Sequence, residues 1–276
     1  MTIADAIRAA AKQLSSTSDT ARLDAELLMA HVLRVPRSDM LLRHMCDEVA
    51  PYLASFETLA ARRAVHEPIA YILGVQEFFG HEFAVKPGVL IPRGDSETLV
   101  RAALEIGPDA RRVLDMGTGS GALLIAYLLV NGQAQGIGID ASNTAALVAA
   151  SNASAHGLSG RAQILRRSWL DAGWADDLGQ FDLVLCNPPY VEANAPLDRD
   201  VRDFEPASAL FSGSEGLDDY RAIIPQLGKL LFKGGVAILE IGHTQAAQVS
   251  QIARESGFDV QLRHDLAHRP RALVLR

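Results

Sequence analysis

Arg112-Val113-Leu114-Asp115-Met116 runs into Gly117-Thr118-Gly119-Ser120-Gly121, and the apolar stretch Ala122 to Val130 follows. A short apolar run, a glycine-rich turn and a longer apolar run read as strand, tight turn and buried helix. The same alternation continues downstream. Strands are expected at Gln135–Asp140, Ala162–Leu165, Phe181–Cys186 and Gly235–Ile241. Helices are expected at Thr144–His156 and Thr244–Ser256, and two more strands near 258–263 and 272–275. Upstream, Ser96–Ile106 reads as a helix. Strands alternating with helices predict an α/β fold, a doubly wound sheet with right-handed crossovers.

The front of the chain follows another pattern. Ile3, Ala6, Ile7, Ala10 and Leu14 share one helical face. Asp19 or Thr20 is placed to cap a second helix with Leu23, Leu27, Leu28 and Val32 on its apolar side. A third helix starts after Pro51 and runs through Leu59. Residues 1–73 therefore read as a small helical bundle. Gly74 ends it, and Phe78 to Val85 reads as a hairpin around Gly80. Residues 74–94 read as a hairpin and linker, and residues 95–276 as the α/β domain.

Composition narrows the function classes. The 276 residues are 49% hydrophobic and 21% charged, with net charge −7, as expected of a globular protein. Up to residue 90 there are 9 basic and 11 acidic residues; the remainder has 17 and 22. Neither part is basic, so no direct nucleic-acid binding is expected. Cys46 and Cys186 form neither a metal-ligand spacing nor a disulfide framework, which favours a reducing, cytoplasmic setting. The longest apolar stretch, Ala122–Val130, is too short to span a bilayer, so no membrane association is expected. A monomer and no metal are the expectation.

Gly117 to Gly121 allow a ligand to approach the backbone, and Asp140 ends the next strand, where a carboxylate accepts both hydroxyls of a ribose. Gly117-x-Gly119-x-x-Ala122 also satisfies a dinucleotide fingerprint. Three features favour S-adenosylmethionine. Asp115 is placed to take a charged amino group, and glycine persists at 121. A nicotinamide cofactor would also leave the next motif unexplained. Trp169 follows the next strand, where it can stack on an adenine, with Ser168 at the base edge.

That next motif is Asn187-Pro188-Pro189-Tyr190, directly after the strand Phe181–Cys186. An amide nitrogen is a poor nucleophile because its lone pair is delocalised. A methyl-transfer site must hold such an –NH2 by both hydrogens. The Asn187 side-chain oxygen and the Pro188 carbonyl can each accept one N–H, Pro188 and Pro189 stiffen the backbone, and Tyr190 can lie against the planar group.

With these residues, the chain closely resembles the protein-(glutamine-N5) methyltransferases that modify peptide chain release factors. The similarity includes Glu67 to Gly74, Glu77-Phe78 with Gly80, Ile91-Pro92-Arg93, Glu205-Pro206 with Ala209-Leu210, Gly216-Leu217, Glu240-Ile241-Gly242, Asp265 and Arg269. It implies a class I, Rossmann-like methyltransferase fold and a helical N-terminal domain that helps bind the release factor. It implies methyl transfer from S-adenosylmethionine to the glutamine of a Gly-Gly-Gln loop. Gly117, Thr118, Gly119, Ser120, Gly121, Asp140 and Trp169 map to the cofactor site. Asn187, Pro188, Pro189 and Tyr190 map to the glutamine site, with Asn187 also close to the cofactor. Where the family has Pro-Arg-Pro, an acidic residue and Thr, this chain has Pro92-Arg93-Gly94-Asp95-Ser96, which keeps a hydroxyl at 96.

Two other readings share the residues. An adenine-N6 nucleic-acid methyltransferase would present the same planar –NH2, against the acidic composition. A non-catalytic S-adenosylmethionine-binding partner of a translation factor would have no need of an intact Asn187 to Tyr190. His243 reads as a surface histidine, and Arg166, Arg167, Arg269 and Arg271 as surface charge.

Overall fold

The computed structural model describes residues 1–276. The chain divides into two compact units, Met1–Val75 with Leu197–Phe204, and Gln76–Pro196 with Glu205–Arg276.

The smaller unit holds α1 (Ile3–Leu14), α2 (Ala21–Leu33), a short α3 (Arg37–Asp39) running into a π-helical turn, α4 (Leu53–Ala64) and α5 (Ile69–Leu73). Thr2 caps α1 in a reciprocal box: its hydroxyl accepts from the Asp5 N–H, and Asp5 accepts from the Thr2 N–H. The face buried on α1 is the one its spacing predicts, Ile3, Ala6, Ile7, Ala10 and Leu14. On α2 the expected face is rotated. Leu23 is exposed, while Asp24, Ala25, Glu26, Leu28, Met29 and Ala30 are buried. Partners for the two acids explain it. Asp24 receives Arg63 Nε at 2.7 Å and the hydroxyls of Ser18 and Thr20, and Glu26 receives Arg37. Removing one member of the buried Asp24–Arg63 pair costs about 3–5 kcal/mol.

The larger unit begins with β1 (Val75–Phe78) and β2 (His81–Ala84). Their turn places Phe79 and Gly80 at φ 53° and 77°, and Gly80 takes that conformation without strain. The segment 74–94, read above as a connection between domains, belongs from Gln76 to this unit. Its Phe78 and Phe83 are fully buried with Leu99, Val100 and Leu123, and the Asn152 side chain bonds both the N–H and the C=O of Ala84. Two large aromatic side chains have no other place to escape water.

Beyond it come α6 (Glu97–Ile106), β3 (Arg112–Met116), α7 (Ala122–Val130), β4 (Gln135–Asp140), α8 (Asn143–Ala155), β5 (Ala162–Arg166) and β6 (Phe181–Cys186). The remaining elements are α9 (Arg199–Phe204, grouped with the smaller unit), α10 (Asp218–Leu230), β7 (Leu231–Glu240), α11 (Ala246–Glu255), β8 (Val260–His264) and β9 (Pro270–Leu275). One seven-stranded sheet has the order β5-β4-β3-β6-β7-β9-β8. β3 to β7 pair in parallel, and β9 is antiparallel to β7 and β8. β3 pairs with β4 on one side and β6 on the other, so connections leave this point in opposite directions. Open α/β sheets bind ligands at such a switch point, beyond the carboxyl ends of the strands.

Two elements depart from the sequence reading. α10 is not signalled because Pro225 and Gly228 interrupt its pattern. Pro225 lies on the exposed face, so the hydrogen bond it removes costs little, while Tyr220, Ile223, Ile224, Leu227 and Leu230 are buried. β7 starts at Leu231 rather than Gly235, across an irregularity opposite Phe181 to Leu183.

Candidate active site

A cavity of about 270 Å³ opens beyond the carboxyl ends of β3, β4 and β6. Of the expected cofactor residues, Gly117, Thr118, Gly119, Ser120, Asp140, Ser168 and Trp169 line it. Asn187 and Pro189 of the tetrapeptide line the same cavity. Gly121, Asp115, Pro188 and Tyr190 do not.

The loop after β3 is shaped by its glycines. Gly117, Gly119 and Gly121 have φ of 72°, 57° and 84°, a region that costs other L-residues about 1–2 kcal/mol each. A Cβ on Gly117 would stand 3.3 Å from the Trp169 ring and 3.8 Å from the Asn187 carbonyl oxygen. Gly117 is therefore where the loop, the indole and the tetrapeptide come together. Gly121 has a packing duty instead, since a Cβ there would press on Ile125 and Ala149.

Two carboxylates serve this loop. Asp140 accepts the Gly119 N–H at 2.9 Å on one oxygen and the Ser142 N–H at 2.8 Å on the other. Each oxygen keeps a second lone pair for a ligand hydroxyl. Burial pushes the Asp140 carboxyl up, and the two N–H groups oppose that rise. Asp115 is the second carboxylate. It is fully buried and does not reach the cavity. It accepts the Thr118 hydroxyl at 2.7 Å, and its Oδ1 has no partner. Burial pushes its carboxyl up to about 7. Asp115 braces the loop through Thr118.

Trp169 is held from α10. Its indole N–H donates to Asp219 Oδ1 at 3.0 Å, and its carbonyl accepts from Gln226. Asp219 also lines the cavity and accepts the Ser212 hydroxyl at 2.7 Å. Ser168 turns its hydroxyl onto the Leu170 N–H. The sequence reading missed Asp219. Its only signal is an acidic pair, Asp218-Asp219, after Gly216-Leu217, and α10 itself was not foreseen.

The tetrapeptide is anchored by side chains. Asn187 Nδ2 donates to the Ser96 hydroxyl at 3.4 Å, leaving its side-chain oxygen free to accept. The Tyr190 hydroxyl donates to Glu240 at 3.1 Å, and burial pushes that phenol up. Glu205, itself buried, pairs with Arg93 and accepts the Ile91 N–H at 3.2 Å. This pins the stretch Ile91–Arg93, which lines the cavity with Pro206 and Ser208. His243 is exposed and lies outside the cavity. The described residues contain no cluster of metal-ligating side chains, and no helix is long and apolar enough to cross a membrane.

The donor set fits a nucleoside with a short polar chain. Asp140 offers acceptors for a diol, Trp169 a flat face, Gly117 an open backbone, and Phe78, Val89 and Leu123 an apolar wall.

Comparison with known proteins agrees with this architecture. Residues 5–74 match the PrmC N-terminal domain model, and residues 95–204 match the Methyltransferase small domain model. A release factor glutamine methyltransferase from Vibrio cholerae serotype O1 is 41% identical over 94% of this chain and 90% of its own length. One from Bordetella pertussis is 40% identical, covering 93% and 95%. One from Nitratidesulfovibrio vulgaris is 36% identical, covering 100% and 95%. Among solved structures, the catalytic domain of hMettl16 in complex with the MAT2A 3'UTR hairpin 6 superposes with TM-score 0.57 at 17% identity. That match covers 79% of this chain and 81% of that one. The ribosomal protein L11 methylase from Lactobacillus delbrueckii subsp. bulgaricus superposes with TM-score 0.51 at 24% identity, covering 70% and 83%. These two establish the fold alone.

Proposed function

The chain belongs to the release factor glutamine methyltransferase family, and from that premise we propose that it methylates the side-chain amide nitrogen of the glutamine in the Gly-Gly-Gln loop of a peptide chain release factor. S-adenosylmethionine, when bound, supplies an electrophilic methyl group. Asp140 holds its ribose, Trp169 and Ser168 its adenine, and the backbone of Gly117–Gly121 its methionine chain. Asp115 acts through Thr118.

The observation that carries the reading is the meeting of Gly117 and Asn187 at one cavity, with the Asn187 carbonyl 3.8 Å from where a Gly117 Cβ would stand. A methyl donor on the loop and an amide on the tetrapeptide are then neighbours. The Asn187 side-chain oxygen accepts one N–H of the glutamine amide and the Pro188 carbonyl accepts the other. With both hydrogens held, the nitrogen lone pair faces the loop. Acceptors fixed in advance also favour the positive charge that develops on nitrogen. Pro189 keeps the carbonyls rigid, and Tyr190, tied to Glu240, supports the planar acceptor side of the tetrapeptide. The proton leaves after charge develops, so no strong base is required of the site.

The helical unit is assigned to release-factor recognition. The protein acts as a cytoplasmic monomer without direct nucleic-acid binding. Incubation with S-adenosylmethionine and purified release factors tests the reading. Mass spectrometry is expected to find one added methyl group on the glutamine of the Gly-Gly-Gln peptide. An unmodified glutamine, with calorimetry showing the cofactor bound, rejects it; methyl transfer to DNA or RNA instead would favour an adenine acceptor.

A further inference from the structure

Glu240 ends β7, the strand beside β6. Cys186 pairs with Leu239 in their register, so Glu240 and Asn187 follow side by side. Glu240 is 1% exposed, and the scheme above gives it no task. A buried carboxylate is costly unless it is satisfied, so what satisfies it is informative.

Both ends of the tetrapeptide converge on it. Tyr190 donates its hydroxyl directly to Oε1 at 3.1 Å. Asn187 approaches it by way of Ser96: the Asn187 amide donates to the buried Ser96 hydroxyl, which keeps its own proton to give, and Ser96 holds the Glu240 carboxyl down against burial. Oε2 is buried with no hydrogen-bond partner, so it is the oxygen open to the Ser96 proton. The strand end itself is fixed, because the Tyr220 hydroxyl donates to the Glu240 carbonyl at 2.8 Å. The positive charge acting on Glu240 is that of Arg271, whose side chain is 8% exposed and bonds Asp95 at 2.8 Å and Asp265 at 3.3 Å.

We propose that Glu240 is a positioning residue for methyl transfer, the single buried carboxylate that orients both Asn187, through Ser96, and Tyr190. The proposal rests on the methyl-transfer reading of the cavity. An ionised Glu240 only accepts hydrogen bonds. Ser96 then gives its proton inward and receives the Asn187 N–H, so Asn187 presents its oxygen, not its nitrogen, to the glutamine amide. A protonated Glu240 donates from one oxygen, and these directions are no longer unique. Burial and the charge of Asp95 push this carboxyl up to about 6, while Ser96, Arg271 and Tyr190 oppose the rise. The buried thiol of Cys186 and the phenol of Tyr220 also feel its charge.

The test compares wild type with Glu240→Gln, which keeps the shape but not the charge. The reaction is release-factor methylation, measured from about pH 5 to about pH 8. The expected result is a kcat lower by about tenfold, with KM for the release factor and the affinity for S-adenosylhomocysteine within about twofold. Wild-type kcat should fall below about pH 6, and the variant should lack that limb. Wild-type kcat in E240Q, or an acid limb that survives the substitution, overturns the proposal. A second measurement needs neither the variant nor the substrate. In NMR spectra of the wild type, the Asn187 side-chain amide and the Tyr190 ring should shift with the same midpoint as the Glu240 carboxyl. An Asn187 amide that stays still while Glu240 titrates overturns the proposal even if it folds and binds normally. Wild type that methylates no release factor but passes the NMR test removes the substrate reading alone.

Discussion

The loops after β3 and β6 lie side by side on one cavity and are built on opposite principles. Gly117–Gly121 works by what it lacks. Positive φ and missing side chains expose backbone groups, and Asp140 and Asp115 hold the turn through Gly119 and Thr118. Asn187–Tyr190 works by stiffness. Two prolines fix the backbone, and each end is tied to polar groups beneath. The difference follows from the two chemistries. A cofactor with many polar atoms is best met by backbone that can be approached closely, whereas one planar amide needs a few acceptors that do not move.

Substitutions that separate the two loops probe this contrast. Asn187→Ala removes an acceptor used only on the stiff side, and kcat for glutamine methylation should drop by about 10²- to 10³-fold in a steady-state assay. Retention of more than half the activity would mean the clamp lies elsewhere. Gly117→Val should act on the other side. Strain at positive φ and a clash with Trp169 should weaken S-adenosylhomocysteine binding by at least about tenfold in calorimetry, with the fold intact by circular dichroism. Asp140→Asn should weaken the same binding by about tenfold, leaving KM for the release factor within about twofold; equal losses in both would merge the two loops into one functional unit.

Asp115 gives a stability test. Its folded carboxyl sits at about 7 against an ordinary 3.8. Between those values the native state keeps a proton that the unfolded chain has lost. Stability of the ligand-free protein should therefore fall as pH rises through that window and level off above it. Asp115→Asn should flatten the slope, as read from urea midpoints at several pH values. The smallest effect is expected at Asp219. Asp219→Asn keeps an acceptor for the Trp169 N–H and should change cofactor affinity by less than about threefold. Asp219→Ala should weaken it further and broaden the Trp169 fluorescence response.

The parts of this site that were legible in the sequence are those fixed by local pattern. β3, α7, β4 and β6 have the bounds their apolar runs and glycines predict, because a buried parallel strand must be apolar and its exit turn must bend sharply. The loop and tetrapeptide follow directly from those strands. Other features depend on neighbours distant in sequence. Leu23 is exposed because Asp24 has Arg63 to meet, 39 residues away. α10 survives Pro225 because its solvent face tolerates the lost hydrogen bond. Asp219 acquires its role only when the fold brings it to the cavity, and Glu205 and Glu240 only when it brings them to Arg93 and Tyr190. The full burial of Asp115 is likewise a matter of depth, which spacing does not encode.

The clasp between Arg93 and Glu205 bears on the timing of synthesis. It joins residues 112 apart in the chain. A chain emerging from the ribosome has its glycine loop long before it has the residues that complete the cavity, since Asn187, Glu205, Asp219 and Glu240 all lie in the last third. Large chains fold progressively as they are made, and a contact across such a span forms only after the intervening segment has closed. An enzyme whose acceptor wall is completed last has no half-made form able to spend its methyl donor.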